Sequence, residues 1–406
     1  MPMPGATSAV IGMWAAVGGR HETPERNGVC HFIEHMLFKG TRKRSARELT
    51  AAIEGVGGYL NGFTSEEHTC FFARVSGRRF PLAFQVLSDM YLRSAFDPAE
   101  LEKERAVIQE EIAMYLDRPH HRVQELVSKT LWPDHPLGRP LTGTRETVGA
   151  LRREDLLRFY RETYTASNTA VAVAGAVDPE TALAAAEKLD RALRKGRPIA
   201  FLPATDRPQG PRLRVERMKT EQAQIALGFR TGSRHDPRRH ALRLLNVALG
   251  ENMSSRLFVR LREERGLVYS VHSSLSFYED AGDLVISLGL DPRNVQPALE
   301  LIVEELRQLR RAPLPRSEFA RAREYVLGQM DLSLESVENR MLWLGEQMLG
   351  YRRVRSAEEI KEEVLAVRPK TAWELAAEVF RKENLFAAAV APVPASREWR
   401  KILERL

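Results

Sequence analysis

The sequence is poor in cysteine and contains no long hydrophobic run. Its 406 residues include two cysteines, Cys30 and Cys70, which are too few for a disulfide framework and which we expect to be buried. No run of about eighteen apolar residues is present, so we expect no membrane-spanning segment. The first residues also lack the basic start and apolar core of a secretory signal, and this favours a cytoplasmic location.

The excess of basic over acidic residues is small. Lys and Arg total 61 against 54 for Asp and Glu, which gives a net charge of +7. The densest basic cluster, residues 41–47, has no interleaved aromatic side chains of the kind that stack on nucleic-acid bases. We therefore expect that the protein does not bind nucleic acid, and a salt-dependent gel shift would test this.

An apolar strand, a glycine turn and an Arg-His-acid corner occur twice in the sequence. Residues 10–22 align without a gap with residues 224–236, and Glu22 then corresponds to Asp236. Strand-like runs alternate with amphipathic helices in both regions. The repetition predicts a duplicated unit of about 200 residues.

A proline-rich segment at residues 194–214 separates the two copies and has the composition of a linker. We therefore predict a first domain at residues 1–193 and a second at residues 215–406. The alternating pattern predicts an α+β fold, in which each half is a mostly antiparallel sheet with helices packed on it.

Two histidines and a glutamate, His31, Glu34 and His35, fall within an arc of roughly 100° on a predicted helix. Imidazoles at positions i and i+4 can bind one metal ion, and a neighbouring carboxylate can act as a base. The order H-x-x-E-H is an inverted zincin pattern, but these five positions are also compatible with ordinary hydrogen-bonded histidines. Taken alone, they leave both alternatives open.

A second predicted helix, residues 97–116, carries two carboxylates seven positions apart. Glu104 and Glu111 have apolar residues one turn away, whereas Glu102 and Glu110 lie on a face that we expect to be solvated. Buried carboxylates are costly unless they are paired or bind a metal, so a salt bridge is the alternative to a metal site. The apolar neighbours that predict burial are Leu101, Val107, Ile108, Met114 and Tyr115.

The segments HFIEHMLFKGT and ERAVIQEEIAMYLDRP resemble the pitrilysin/insulinase family of zinc peptidases, in particular its mitochondrial processing peptidase branch with short bacterial members. The similarity extends through GGYLNGFTSEEHTCFFARV, HPLGRPLTGTRETV and FYRETYTASNTAVAVAGAVD, and so covers nearly the whole chain. The spacing from His35 to Glu111 matches that of the family. The resemblance implies that His31, His35 and Glu111 bind one Zn²⁺ per chain. It also implies that Glu34 is the general base and that Glu104 supports a zinc-binding histidine.

Two further residues of the second half match family positions. The resemblance implies that Arg262 and Tyr269 contact substrate carbonyls or the oxyanion, although Val268 replaces a glycine that is common before the tyrosine. Without the resemblance, the same residues read as a solvent-exposed arginine and a core tyrosine at a helix-to-strand junction.

The segment Asn61, Gly62, Phe63 and Thr64 resembles a family edge strand to which substrate binds, with Gly62 in place of the usual alanine. The alternative is a hairpin turn, because Asn-Gly is a strong turn signal. Relatives usually have an extra strand before the stretch that matches Ser8. Either the sequence starts late relative to them or this strand is absent, and the resemblance leaves both alternatives open for that edge of the first sheet.

Together these features predict a zinc endopeptidase that hydrolyses oligopeptides or unfolded segments, bound as extended strands in a chamber. The alternative is a non-catalytic or regulatory subunit of a two-chain zinc peptidase. The resemblance implies a homodimer, or a heterodimer with a paralogous subunit.

Overall fold

A computed structural model of the protein describes residues 1–204, 212–394 and 396–406. The backbone contacts divide it into two compact units, each made of three stretches of chain. Unit 1 consists of Met1–Ala113, Arg139–Leu202 and Asp331–Val354, and unit 2 consists of Met114–Gly138, Pro203–Met330 and Arg355–Leu406.

Each unit is built on one sheet. The sheet of unit 1 has the strand order β2-β3-β1-β4 and antiparallel pairing throughout, and that of unit 2 has the order β5-β9-β6-β8-β7. The strands are β1 (Ser8–Ala15), β2 (Tyr59–Thr64), β3 (Thr69–Ser76), β4 (Thr169–Gly175), β5 (Arg212–Arg217), β6 (Ala223–Thr231), β7 (Val268–Phe277), β8 (Gly282–Leu290) and β9 (Leu385–Ala391).

Fifteen α-helices are found among the described residues. They are α1 (Val29–Leu37), α2 (Ala46–Glu54), α3 (Phe80–Arg93), α4 (Pro98–Asp117), α5 (Pro119–Leu131), α6 (Arg145–Ala150), α7 (Arg153–Thr163), α8 (Pro179–Ala192), α9 (Arg239–Asn246), α10 (Val295–Arg311), α11 (Arg316–Glu335), α12 (Val337–Tyr351), α13 (Ala357–Leu365), α14 (Pro369–Val379) and α15 (Arg397–Leu403). In the described part of the chain, none of the helices has the length and hydropathy to cross a membrane.

The two sheets repeat one topology. Strand β1 lies between β3 and β4 with antiparallel pairing, and β6 lies between β8 and β9 in the same way. These central strands are the apolar runs that the sequence repeat identified. The predicted α+β fold with two homologous halves is therefore confirmed.

The outermost strand of the second sheet has only a short counterpart in the first. Strand β5 pairs in parallel with β9, whereas in unit 1 the parallel partner of β4 is a single bridge from Pro2 to Gly175. Among the described residues the first sheet thus has four strands.

A helix from the second half of the sequence completes the core of unit 1. Helix α12 places Met341 and Leu344 against Trp14 and Val10 of the central strand β1. Strand β1 is buried on both faces for this reason, because side chains alternate between the two sides of a sheet.

A helix from the first half of the sequence packs in unit 2 in the same manner. Helix α5 buries Val127 and Leu131 in one apolar cluster with Ala226 of β6 and Phe386 of β9. The units are therefore not continuous halves, and this division differs from the predicted boundaries at residues 1–193 and 215–406. The hydrophobic pattern of a helix shows that one face is buried, but it does not show which sheet covers that face.

The predicted linker at residues 194–214 also needs a correction. Its last residues, from Arg212, already belong to strand β5, where they pair with β9 from Phe386 onward. Residues 205–211, which contain two of its prolines, lie outside the described residues.

Candidate metal centre

Helix α1 carries the two histidines and the glutamate of the sequence motif. Its apolar residues Phe32, Ile33 and Met36 are fully buried, and this fixes the rotation of the helix about its axis. The motif residues His31, Glu34 and His35 are only partly buried, and the rings of the two histidines lie 4.6 Å apart between centroids. The amphipathic pattern of α1 thus orients both imidazoles to the same side.

Helix α4 supplies the third group. The Oε2 atom of Glu111 lies 3.7 Å from Nε2 of His31 and 3.8 Å from Nε2 of His35. One ligand atom from each of the three residues falls within 4.8 Å of the others, and no other such cluster was found in the described part of the chain. The structure therefore brings together the three residues that the family resemblance named.

The donor set fits a zinc ion. The Glu111 oxygen is too far from either imidazole nitrogen for a hydrogen bond, since such bonds are about 2.7–3.2 Å long. Ligand atoms about 2.0–2.1 Å from a tetrahedral zinc lie roughly 3.3–3.4 Å apart, so small side-chain movements would bring His31, His35 and Glu111 to that geometry. Two imidazoles and one carboxylate are also a common ligand set of catalytic zinc.

Burial keeps His31 in its ligating form. Desolvation, and to a smaller extent the neighbouring His35, lower the pKa of His31 to about 3. The imidazole is therefore neutral at physiological pH, with a nitrogen lone pair available to a metal. Its Nδ1 atom is buried and has no hydrogen-bond partner among the described residues.

The ring of His35 is held by a carboxylate. Its Nδ1 atom lies 2.9 Å from Oε2 of Glu104, and Oε1 of Glu104 lies 2.7 Å from Nζ of Lys39. A carboxylate on Nδ1 favours the tautomer that leaves Nε2 available to a metal. Glu104 lies where the sequence places a supporting acid, whereas sequence reasoning missed Lys39. Its position one helical turn after His35 was the available signal.

Glu34 contacts the edge strand of the sheet. The Thr64 hydroxyl of β2 donates a 2.8 Å hydrogen bond to Oε2 of Glu34. Burial raises the pKa of Glu34, the Thr64 hydrogen bond and nearby His35 lower it, and Glu111 raises it. The carboxyl is thus a partly buried acid whose ionised form is stabilised by one strand residue.

Strand β2 is an outer strand of its sheet and pairs only with β3 among the described strands. Asn61 pairs with Phe72 and Gly62 with Phe71 inside the ladder, so the hairpin reading of Asn-Gly is wrong. The turn lies later, where Ser65 N–H donates to His68 O. Phe63 packs edge-on against Trp14.

Gly62 lies at a closely packed position. A Cβ at this position would lie 3.1 Å from the Phe38 ring and from the Cys70 carbonyl oxygen. Phe38 ends the helix that carries the histidines, so the strand and the helix approach closely here. The edge strand predicted from the sequence is present, and its role in substrate binding stays a prediction.

Arg262 and Tyr269 lie together in unit 2. Arg262 is in a π-helical turn, Phe258–Glu263, and its guanidinium donates a 2.6 Å hydrogen bond to the Tyr269 carbonyl oxygen. The register of β7 shifts between Val268 and Ser270, which marks a bulge at Tyr269. Tyr269 is 58% exposed, so the alternative reading of a core tyrosine is wrong.

Two apolar residues of α4 were misjudged from the sequence. Val107 is 49% exposed and Met114 is 39% exposed, although both were expected to face the core. Glu104 is nevertheless buried, Glu111 is partly buried, and Glu110 is exposed.

Two family models match the chain. "Insulinase (Peptidase family M16)" matches residues 3–145, and "Peptidase M16 inactive domain" matches residues 150–326. A protein of Bacillus subtilis (strain 168) named "Uncharacterized zinc protease YmxG" is 37% identical over 95% of this chain and 93% of its own length. An "Uncharacterized zinc protease" of Streptomyces coelicolor is 39% identical over 90% of this chain and 81% of its own length.

Solved structures share the fold at low sequence identity. A protease from Helicobacter pylori superimposes with a TM-score of 0.92 at 20% identity, over 97% of this chain and 96% of its own. A peptidase M16 inactive domain from Pseudomonas fluorescens gives a TM-score of 0.90 at 18% identity, over 98% of this chain and 96% of its own. From the family models and the extent of identity to the named zinc proteases, the chain belongs to the M16, or insulinase, family of peptidases.

Proposed function

We propose that the protein is a zinc-dependent endopeptidase that hydrolyses oligopeptides or unfolded segments bound as extended strands. The observation that carries the proposal is the convergence of His31, His35 and Glu111, with Glu34 on the same helix face. The names of the relatives support zinc as the metal, and the donor set supports one ion per chain.

Each candidate site residue has its own role in the proposed hydrolysis. Zinc held by His31, His35 and Glu111 would supply Lewis acidity, which polarises a carbonyl and makes a nearby water more acidic. Glu34 accepts a proton from that water and later donates it to the departing amine. Thr64 donates to Oε2 of Glu34, and the remaining lone pairs of the carboxylate are available for the proton.

Substrate is positioned by its main chain. The outer edge of β2 offers backbone N–H and C=O groups, and an extended peptide can pair with these whatever its sequence. Thr64 lies at the end of this strand and contacts Glu34, so a peptide bound along β2 runs toward the base.

The second unit contributes to the transition state in this proposal. Arg262 and Tyr269 are adjacent and exposed, and they provide a positive charge and a phenol hydroxyl. They act within the same chain or from a partner in a homodimer or a heterodimer with a paralogous subunit. The remaining elements of the proposal are a cytoplasmic location and the absence of nucleic-acid and membrane partners.

The deciding experiment combines elemental analysis with peptide digestion. The purified chain should contain about one zinc per molecule and should cleave unstructured peptides until a chelator is added. Glu34→Gln should keep the zinc and lose at least about 100-fold in turnover, since general-base catalysis contributes about 10²–10⁴-fold. Glu110→Gln, on the exposed face of α4, is the matched control and should retain both.

The alternative is a non-catalytic subunit. It predicts that the chain alone cleaves no peptide, whether or not it holds zinc, and that Glu34→Gln changes nothing. Turnover by Glu34→Gln above about a tenth of the wild-type rate would remove Glu34 from its proposed role.

A further inference from the structure

The two histidines of α1 are held in different ways. His35 has a carboxylate on its Nδ1 atom, whereas the Nδ1 atom of His31 has no partner among the described residues. A metal-binding imidazole generally needs a fixed orientation, which its second nitrogen usually provides. The position of His31 therefore depends mainly on the backbone at the start of α1.

The start of α1 has no capping side chain of its own. The N-cap residue is Gly28, which has a left-handed conformation with φ of +94°. A Cβ there would lie 2.7 Å from the Thr142 carbonyl oxygen, so only glycine fits. The first N–H groups of a helix lack partners within the helix, and they must find acceptors elsewhere.

The acceptor is Glu22, a buried carboxylate that precedes α1 in sequence. Its Oε1 accepts a 2.8 Å hydrogen bond from Cys30 N–H, and its Oε2 accepts one of 2.8 Å from Gly28 N–H and one of 2.9 Å from the Asn27 side chain. Both oxygens thus accept from N–H donors, which is the pattern of an ionised group. A negative charge at a helix N-terminus is further stabilised by the helix dipole.

The Glu22 residue is itself fixed on its other side. The Arg139 guanidinium donates a 2.9 Å hydrogen bond to the Glu22 carbonyl oxygen, and Asn27 donates one of the same length to the Pro140 carbonyl oxygen. Glu22 is 4% exposed. The main chain of Glu22 is therefore anchored to a neighbouring loop, and from there its carboxylate can hold the helix start in place.

The second half of the chain provides a comparison. Asp236 corresponds to Glu22 in the sequence repeat, and its carboxylate accepts from both the backbone N–H and the guanidinium of Arg238. No group of metal-binding side chains was found in unit 2 among the described residues. Arg238 is the N-cap residue of α9, so this acid contacts a helix start in both halves. The half with the candidate metal centre differs in that the acid also accepts from Cys30 N–H inside the helix, next to a candidate metal ligand.

We propose that Glu22 is a positioning residue of the metal centre, which fixes the first turn of α1 through Cys30 and Gly28 and thereby places His31 for zinc binding. This inference rests on the proposed zinc site. Cys30 and His31 are consecutive, so any movement of the Cys30 N–H moves the His31 side chain with it. Metal sites tolerate ligand displacements of only about 0.5 Å, and a displaced helix start would weaken binding.

The test measures zinc affinity of the full chain by competition with a chromophoric chelator. Glu22→Gln is nearly isosteric but turns an NH₂ group toward one of the N–H donors. We expect its zinc affinity to fall by about 10–100-fold, the usual loss when a residue behind a metal ligand is changed. Melting temperatures of the metal-free proteins are measured alongside.

The matched control is Asn168→Ala. Asn168 is also buried in unit 1, where it accepts from Ile199 N–H and donates to the Arg197 carbonyl oxygen. Its loss should lower the melting temperature of the metal-free chain with less than a twofold change in zinc affinity. A merely structural role for Glu22 would give the same result as this control and would overturn the proposal.

A milder variant covers the case in which Glu22→Gln does not fold. Asn27→Ala removes one of the three donors to Glu22, and we expect a smaller loss of zinc affinity in the same direction. Unchanged affinity in this variant would then contradict the proposal. His31→Ala separates the two hypotheses: if wild-type protein and His31→Ala bind zinc equally, the metal site itself is wrong. If zinc affinity falls in His31→Ala but not in Glu22→Gln, the metal site is supported and the positioning role of Glu22 is contradicted.

Discussion

The hydroxyl of Thr64 lies 2.8 Å from Oε2 of Glu34 and donates a hydrogen bond to it. The contact joins the outer strand of the first sheet to the helix that carries the metal-binding motif. The strand proposed to bind substrate therefore also stabilises the ionised form of the proposed base.

Thr64→Val should move the pH dependence of peptide cleavage. The Thr64 hydrogen bond lowers the pKa of Glu34 against the effect of burial, so its removal raises that pKa. A base with a raised pKa is protonated over a wider acidic range, and the acid limb of kcat/KM should shift to higher pH. On that limb we expect kcat/KM to fall by about tenfold, since a hydrogen bond to a charged group contributes about 1.5–3 kcal/mol.

Thr64→Ser retains the hydroxyl and is the control for this experiment. Its pH profile should match that of the wild-type protein. A uniform loss across the whole pH range in Thr64→Val would instead indicate that Thr64 acts through substrate binding or strand geometry.

Glu111→Gln should lower zinc content, and Glu110→Gln should not. Glu111 directs its carboxylate at both histidines, whereas its neighbour Glu110 is exposed on another face of α4. The amide is a much poorer zinc ligand than the carboxylate. Elemental analysis after dialysis gives the result, and equal loss in both variants would mean that the third ligand has been misassigned.

Glu104→Ala should weaken zinc binding by about 10–100-fold without abolishing it, because the variant keeps all three ligands but loses the carboxylate on Nδ1 of His35. Glu102→Ala serves as the control, since Glu102 lies on the same helix, is largely exposed and pairs with Arg105. Chelator competition measures both. Similar zinc affinities for the two variants would mean that Glu104 pairs with Lys39 but does not support zinc binding.

Arg262→Ala and Tyr269→Phe should lose activity while they keep zinc and the fold. Neither residue is among the candidate ligands, and loss of one donor to a developing oxyanion typically costs about 2.7–4 kcal/mol of transition-state stabilisation. Arg265→Ala, at an exposed position in the same segment, should be near wild type. Full activity in both variants would remove the second unit from the proposed mechanism.

A mixing experiment then shows which chain supplies the pair. Inactive Arg262→Ala protein is combined with inactive Glu34→Gln protein under conditions that allow subunits to exchange. Recovered activity means that the arginine acts from a partner subunit, and no recovery after verified exchange means that it acts within its own chain.

The candidate site could be predicted from the sequence because its signals are local. His31 and His35 lie on one helix at fixed spacing, and their arrangement follows from the geometry of that helix. Glu111 was found through its spacing in the family resemblance, although the argument from its apolar neighbours was partly wrong. Val107 is half exposed, so an apolar residue one turn away is a poor guide to burial on a long, highly charged helix.

Contacts between distant segments were predicted only where the family resemblance supplied them. Thr64 and Glu34 are 30 positions apart, and no local pattern shows that a strand hydroxyl will meet a helix carboxylate. The placement of α12 on the first sheet is of the same kind, because two homologous sheets present similar apolar faces to any amphipathic helix.

The packing of α12 on β1 leads to a prediction about stability. Gly345 of α12 lies directly over the indole of Trp14, and a Cβ at this position would be 2.1 Å from the ring atom Cε2. Trp14 is fully buried between the helix and the sheet, so it has little room to move. Gly345→Ala should therefore destabilise the protein by about 1–3 kcal/mol, the usual cost of overpacking a core.

Gly328→Ala is the matched control, because Gly328 also lies inside a helix, α11, and a Cβ there would meet no atom within 4 Å. Alanine is favoured over glycine in a helix by about 1 kcal/mol, so this variant should melt slightly above the wild-type protein. Thermal unfolding of the metal-free chains measures both changes. We expect the melting temperature to fall in Gly345→Ala and to rise in Gly328→Ala. This difference is informative, since helix propensity alone would raise the melting temperature in both variants. A stabilised Gly345→Ala protein would show that α12 does not lie against Trp14 as described.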